Sequence, residues 1–168
     1  TDPQSETGMG TDPLNRLLRK RDWLLADGAT GTNLYNMGLA SGEPPDLWCE
    51  THPDKVRDLH HAMVAAGADI ILTNSFGANS HRLRLAGAAD RVVALNRTAA
   101  TLAREAADKA EREVLVAGSI GPTGEIMAPM GRLTEAEAAR IFTEQALALR
   151  DSGVDLLWVE TISSIEEL

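Results

Sequence analysis

The chain has 168 residues, 43% of them hydrophobic, and its 25 acidic side chains outnumber its 16 basic ones to give a formal net charge of −9. This length is sufficient for one domain with a buried core. The acidic balance argues against nucleic acid or an anionic membrane surface as the partner, because both require a basic face.

The N-terminal residues 1–12 are polar and contain glycine, and this composition predicts a disordered segment ahead of a folded part over residues 13–168. No apolar run approaches the ~18 residues of a membrane span and no signal peptide is evident, so we expect a cytoplasmic protein without membrane contact. Cys49 is the only cysteine, which excludes an internal disulfide and gives no metal site. Its simplest interpretation is a small, partly buried residue behind Trp48.

The first predicted strand is Trp23–Asp27, which follows a short helix over residues 13–21. It ends in a carboxylate and leads directly into Gly28–Asn33, a turn whose glycines let the backbone approach a ligand closely. Asp27 is therefore a candidate substrate ligand, and an ordinary strand-to-helix turn is the alternative. The backbone amides of the same turn are candidate ligands for an anion, at Gly28, Ala29 and Thr30.

Three more strands are predicted along the chain, each after a helical segment. A proline-rich connection over residues 34–52 precedes a helix that begins at Pro53 and runs to about residue 66. Residues 78–113 read as two helices broken near Gly87, and a capping box at Thr134 and Glu137 starts a helix that runs to about residue 151. The predicted strands are Asp69–Asn74, Val114–Gly118 and Val154–Glu160.

An internal repeat supports a parallel arrangement of these units, because Gly67–Asn74 aligns without gaps on Gly153–Glu160. Both segments contain a helix stop, an aspartate, an apolar strand and a polar residue at the far end. Strands that alternate with helices predict an α/β fold with a parallel sheet. The polar residues at the strand ends would then gather at one rim, at Asp27, Asn74, Ser119 and Glu160.

The last residues carry a helix N-cap signal, Ser163 with Glu166 or Ser164 with Glu167, about one turn before Leu168. Four strand–helix units also leave two open sheet edges, whereas a complete (βα)8 barrel takes roughly 250 residues. We therefore expect residues 13–168 to be the N-terminal half of a parallel (βα)8 TIM barrel, about its first four units.

Four motifs fall in the order and approximate spacing of the homocysteine S-methyltransferase family, which the chain resembles over residues 22–168. This family includes betaine–homocysteine methyltransferase and the homocysteine module of methionine synthase. The resemblance implies a TIM barrel in which zinc holds the homocysteine thiolate, which takes a methyl group from a donor to give methionine. Betaine is the expected donor, with S-methylmethionine and a folate or cobalamin route left open. The motifs are Asp27–Thr32, Thr73–Gly77, Gly118–Gly124 and Val159–Thr161.

The resemblance also implies roles for the candidate residues. Asp27 and Glu160 would hold the substrate ammonium, and the turn amides its carboxylate, at Gly28, Ala29 and Thr30. Asn74 and Ser119 would make further contacts. The zinc ligands of the family are cysteines of the second half of the barrel, expected beyond residue 168. No residue here is therefore assigned a catalytic or metal-binding role, and we expect the chain alone to bind no catalytic zinc and to transfer no methyl group.

Two other interpretations stay open. Another TIM-barrel enzyme, such as an aldolase, would need a strand-end lysine, and no lysine lies at a predicted strand end. A non-catalytic half-barrel that self-associates through its open edges would be a homo-oligomer in solution. For the two acids, the structural alternative is that they cap the next helix or pair with an arginine.

Overall fold

A parallel three-stranded sheet organises the computed structural model, which describes residues 12–162 and 164–168. Its strands lie in the order β1 (Ile70–Leu72), β2 (Leu115–Ile120) and β3 (Leu156–Val159). Ile71 is in register with Val116, and Gly118 with Leu157. Every residue of β2 is buried, as expected for the central strand of a parallel sheet covered by helices. The α/β class and the parallel pairing are confirmed.

The predicted first strand, Trp23–Asp27, is wrong in extent. Only one parallel bridge forms in this segment, between Ala26 and Ile70. The amide of Leu25 donates to a carboxylate oxygen of Asp69 at 3.0 Å, so a side chain takes the place of a backbone acceptor. The next amide that would extend the pairing, that of Asp27, donates to the carbonyl of Ile70 at 2.9 Å. Asp27 is therefore anchored beside β1 although no full strand precedes it.

Five helical segments lie before β1, one ahead of this bridge and four after it. The helix α2 begins inside the predicted turn Gly28–Asn33, so that only Asp27, Gly28 and Ala29 lie between the bridge and the helix. Ala29 adopts a left-handed conformation with φ of 56° just before the helix starts. The bounds are α1 Pro13–Leu18, α2 Thr30–Asn36, a 3-10 turn Pro45–Leu47, α3 Trp48–Thr51 and α4 Pro53–Ala65.

The later helices agree with the sequence pattern. The segment between β1 and β2 holds α5 (Ser80–Arg84), a 3-10 turn (Ala89–Arg91) and α6 (Val92–Asp108), so the break near Gly87 is confirmed. Helix α7 (Glu135–Asp151) begins after Thr134, whose side chain accepts a hydrogen bond from the Glu137 amide. Strand β2 continues to Ile120, two residues past the predicted end, and therefore includes Ser119.

Helices α4, α6 and α7 cover the sheet. Helix α6 presents a buried row of alanines, Ala99, Ala103 and Ala106, whose small side chains let the neighbouring helices approach closely. No helix within the described ranges combines the length and the apolar character that spanning a bilayer demands.

The structure describes the two predicted end segments only in part. Residues 1–11 of the predicted disordered segment lie outside the described residues, whereas Asp12 caps α1 by accepting a hydrogen bond from the Leu14 amide. Ser163 also lies outside them. Ser164 accepts a hydrogen bond from the Glu167 amide at 3.2 Å, and residues 165–167 form a turn.

Candidate functional site

A cavity of about 570 Å³ opens at the carboxyl ends of the strands. Its wall includes all the residues singled out from the sequence, although they come from four separate places in the chain. The parallel topology accounts for this convergence, because the carboxyl ends of neighbouring strands meet at one edge of the sheet. The predicted residues in its wall are Asp27, Gly28, Ala29, Thr30, Asn74, Ser119 and Glu160.

Asp27 and Glu160 give this cavity two carboxylates. Asp27 accepts a hydrogen bond from the Leu72 amide at 3.0 Å, and Glu160 accepts one from the Ser119 hydroxyl at 2.6 Å. Burial raises the pKa of Asp27 to about 6; the Leu72 hydrogen bond opposes this rise and the charge of Glu160 adds to it. The two acids therefore repel each other, and a cation placed between them would relieve that repulsion.

The turn after Asp27 supplies hydrogen-bond donors to the same cavity. Within the described ranges, none of the amides of Gly28, Ala29 and Thr30 donates to another residue. The left-handed backbone at Ala29 precedes a helix that has no side-chain cap. Free amides beside two carboxylates give the cavity both kinds of partner that a zwitterion requires.

Asn74 and Ser119 hold other parts of the wall in place. The Asn74 side chain is buried, and its amide nitrogen donates to the Pro45 carbonyl at 2.8 Å and approaches the Cys49 sulfur at 3.5 Å. Ser119 directs its hydroxyl to Glu160. Asn74 thereby anchors the 3-10 turn, and Ser119 orients one of the two acids.

Asp46 is a cavity residue that the sequence did not single out. It is only 5% exposed, and its carboxylate accepts a hydrogen bond from the Gly77 amide at 2.9 Å. Burial raises the pKa of Asp46 to about 6, against this hydrogen bond and the nearby positive charge of Arg82. A Cβ atom at Gly77 would lie 2.8 Å from an Asp46 oxygen, so only glycine fits there without displacement. The sole sequence signal was the length of the 34–52 connection.

Arg82, from α5, is the second cavity residue that was missed. It is the one basic side chain among the described residues of the cavity wall, and its guanidinium carbon lies 5.8 Å from the centroid of the Phe76 ring. Its sequence signal was weak, because the residue lies in a helical segment that also contains Arg84.

The residues present do not fit a zinc ion. Cys49 is buried, its thiol donates to the Asn74 carbonyl at 3.3 Å, and burial raises the pKa of that thiol. Zinc takes the thiolate form of cysteine, which this environment disfavours. Over residues 12–162 and 164–168, no three His, Cys, Asp or Glu side chains cluster in a way that could hold a metal ion.

The chain is similar in sequence to known proteins of one family. The sequence model of the homocysteine S-methyltransferase family matches residues 24–168. The chain is 32% identical to methionine synthase from Mycobacterium tuberculosis over 154 residues, which is 86% of this chain and 13% of that protein. It is 28% identical to betaine–homocysteine S-methyltransferase 1 from Sus scrofa, over 89% of this chain and 54% of that protein.

A solved structure is also similar over most of the chain. The homocysteine methyltransferase MmuM from Escherichia coli, in its metallated form, superposes with a TM-score of 0.78 at 30% identity. The match covers 92% of this chain and 59% of that one. The chain thus spans a little over half the length of two of these relatives and a small part of the third.

Proposed function

The chain belongs to the homocysteine S-methyltransferase family, and from this premise we propose that its cavity binds homocysteine as the methyl acceptor in the formation of methionine. The observation that carries the proposal is the pair of carboxylates, Asp27 and Glu160, facing one cavity beside unpaired amides. An amino acid presents one cation and one anion on the same carbon. The carboxylates and the backbone amides of the cavity wall match these two charges.

Each residue has a distinct part in this proposal. Asp27 and Glu160 accept hydrogen bonds from the substrate ammonium, which relieves their mutual repulsion and favours the ionised form of Asp27. The Ser119 hydroxyl keeps Glu160 directed into the cavity. The amides of Gly28, Ala29 and Thr30 hold the substrate carboxylate. Asn74 anchors the 3-10 turn Pro45–Leu47 through its hydrogen bond to the Pro45 carbonyl.

The proposal for this chain stops at holding the amino acid. The zinc that the family resemblance implies would keep the substrate thiol deprotonated, but its ligand set is not found among the described residues. We assign no step of the methyl transfer to residues of this chain. Methyl transfer by the whole protein, no methyl transfer by this chain alone, and a location in the cytoplasm stay predictions.

Aromatic side chains support an onium compound as the methyl donor. Tyr35, Phe76 and Trp158 line the same cavity as the two acids. Aromatic faces attract quaternary ammonium and related cations. Betaine is therefore the first donor to test, and S-methylmethionine, a sulfonium, is the second.

The (βα)8 barrel also belongs to this proposal. Strand β3 is an edge strand of the sheet, and two of its apolar side chains are exposed to solvent: Val159 is 52% exposed and Leu157 is 42% exposed. Apolar side chains along a strand edge are typical of a surface that another strand or helix covers. We take the sheet to be part of the barrel implied by the resemblance.

Calorimetric titration with L-homocysteine tests the proposal. We expect saturable binding to the wild-type chain, and an affinity about 10-fold lower or more in Asp27→Asn and in Glu160→Gln, because each loses a charged hydrogen bond to the ammonium. Glu111→Gln removes an exposed acid outside the cavity and serves as the matched control, with unchanged affinity. Absence of binding to the wild type, or equal affinities in all four proteins, would contradict the proposal.

A further inference from the structure

The guanidinium of Arg82 is a cation without a direct partner on the cavity wall. No hydrogen bond from its side chain and no carboxylate within 4 Å of it occurs among the described residues. Asp46 is near enough for its pKa to respond to the Arg82 charge but forms no ion pair with it. Arg84 of the same helix, by contrast, pairs with Glu125 at 3.1 Å. Arg82 therefore keeps its charge and its donors available to a ligand.

The surrounding structure holds Arg82 at this position. The Asn79 side chain caps α5 by accepting a hydrogen bond from the Arg82 amide at 3.0 Å, and it donates to the Pro122 carbonyl at 3.3 Å. Through Asn79, Arg82 in the segment after β1 is thereby connected to the loop that follows β2. These hydrogen bonds fix the backbone position from which the Arg82 side chain enters the cavity.

The Arg82 side chain lies close to two glycines, Gly77 and Gly124. A Cβ atom at Gly77 would lie 3.4 Å from the Arg82 Nε, and one at Gly124 would lie 3.3 Å from its Nη1. The guanidinium therefore lies against the backbone of two separate loops. On another side it faces the Phe76 ring. A planar group confined in this way presents its donors in a fixed direction, which suits two-point binding of a carboxylate.

We propose that Arg82 binds the carboxylate of the methyl donor. The inference rests on the proposed function, in which the homocysteine ammonium takes Asp27 and Glu160 and its carboxylate takes the turn amides. Arg82, the cation of the cavity wall that homocysteine does not use, is then available to bind the carboxylate of the donor. This makes the donor a zwitterion that carries an onium methyl and a carboxylate, as betaine and S-methylmethionine do.

The test compares betaine with choline, which has a hydroxymethyl group in place of the carboxylate. Calorimetry in the presence of saturating L-homocysteine is expected to give about 10- to 100-fold tighter binding of betaine than of choline to the wild type. Arg82→Gln is expected to bring betaine to the level of choline and to leave choline and homocysteine within about 2-fold. Arg82→Lys keeps the charge without the planar fork and is expected to lie between them.

Arg84→Gln is the matched control, since it removes an arginine of the same helix that pairs outside the cavity. The same series with S-methylmethionine covers the second donor. A loss of homocysteine affinity instead of donor affinity in Arg82→Gln would overturn the inference, as would equal betaine affinities in wild type and variant. Wild-type protein that binds homocysteine but neither donor overturns it and leaves the proposed function standing. Wild-type protein that does not bind homocysteine overturns both.

Discussion

The carboxyl group of Asp46 lies in an environment that disfavours its charged form. It is almost fully buried, receives one backbone hydrogen bond from Gly77, and has Arg82 as the nearby cation. One hydrogen bond does not replace the hydration that an ionised carboxylate loses on burial. The folded protein consequently holds the Asp46 proton more tightly than the unfolded chain does.

This environment predicts how stability depends on pH. The pKa of Asp46 is raised from 3.8 to about 6 in the folded protein, so its contribution to stability is present below about pH 4 and is lost as the pH rises through about 6. Urea unfolding of wild type and Asp46→Asn at pH 4 to 7.5 should show the wild-type free energy of unfolding falling, relative to the variant, by on the order of 2 kcal/mol. Because Asp27 is the same in both proteins, its titration cancels. Parallel pH profiles would refute the assignment.

The sequence predicted which strand-end residues line the cavity and missed the lining residues that depend on packing. Asp27 and Glu160 each follow an apolar run, and the parallel topology alone brings such ends together. Asp46 and Arg82 enter the cavity only because of how the 34–52 connection and α5 fold over the rim. No local periodicity records that folding, so these two residues could not be found from the pattern.

Strand β2 and helix α7 lie close together at Gly118. A Cβ atom at this position would lie 3.0 Å from the Leu149 Cδ1, 3.2 Å from its Cβ and 3.3 Å from the Leu157 Cδ2. Leu149 belongs to the buried face of α7, and Leu157 to β3. The absence of a side chain at Gly118 therefore sets how closely the helix lies on the sheet.

The Gly118→Ala variant is expected to be destabilised by about 1–3 kcal/mol, because the added methyl forces the helix or the Leu157 side chain to shift. Gly31→Ala adds the same methyl inside α2, where no atom lies within 4 Å, and is expected to be neutral or stabilising by up to about 1 kcal/mol. The measurement is urea unfolding followed by circular dichroism. Equal stability of the two variants would show that Leu149 and Leu157 can yield at little cost.

Elements with a local start signal were predicted well, whereas the first strand was not. Pro53 and Thr134 mark the starts of α4 and α7 through chemistry that acts within one helical turn. The pairing of Trp23–Asp27 depends instead on Asp69, whose carboxylate binds the Leu25 amide and pairs with Arg21. A contact between residues this far apart in the chain leaves no trace in either segment alone.

At the scale of the whole molecule, the net charge of the chain does not describe the charges of the cavity wall. The chain carries a net charge of −9, yet its cavity wall holds, beside three carboxylates, one arginine that has no direct partner among the described residues. Net charge therefore argues against partners such as nucleic acid but does not indicate what the cavity binds. The proposed binding rests on the local arrangement of acids, amides and a guanidinium in the cavity wall.

The last prediction concerns zinc and the activity of the 168-residue chain by itself. Its single thiol, Cys49, is buried, donates to a backbone carbonyl and has a raised pKa, so forming the thiolate that zinc requires would need both deprotonation and a change in packing. After incubation with zinc and exhaustive dialysis, metal analysis should find far less than one equivalent bound, equally in wild type and Cys49→Ser. The same preparation supplied with L-homocysteine and betaine should form no methionine, although we expect it to bind the amino acid. One equivalent of zinc retained by the wild type and lost in Cys49→Ser would show that the Cys49 region opens to bind metal, and methionine formation would show that this chain holds a complete catalytic site.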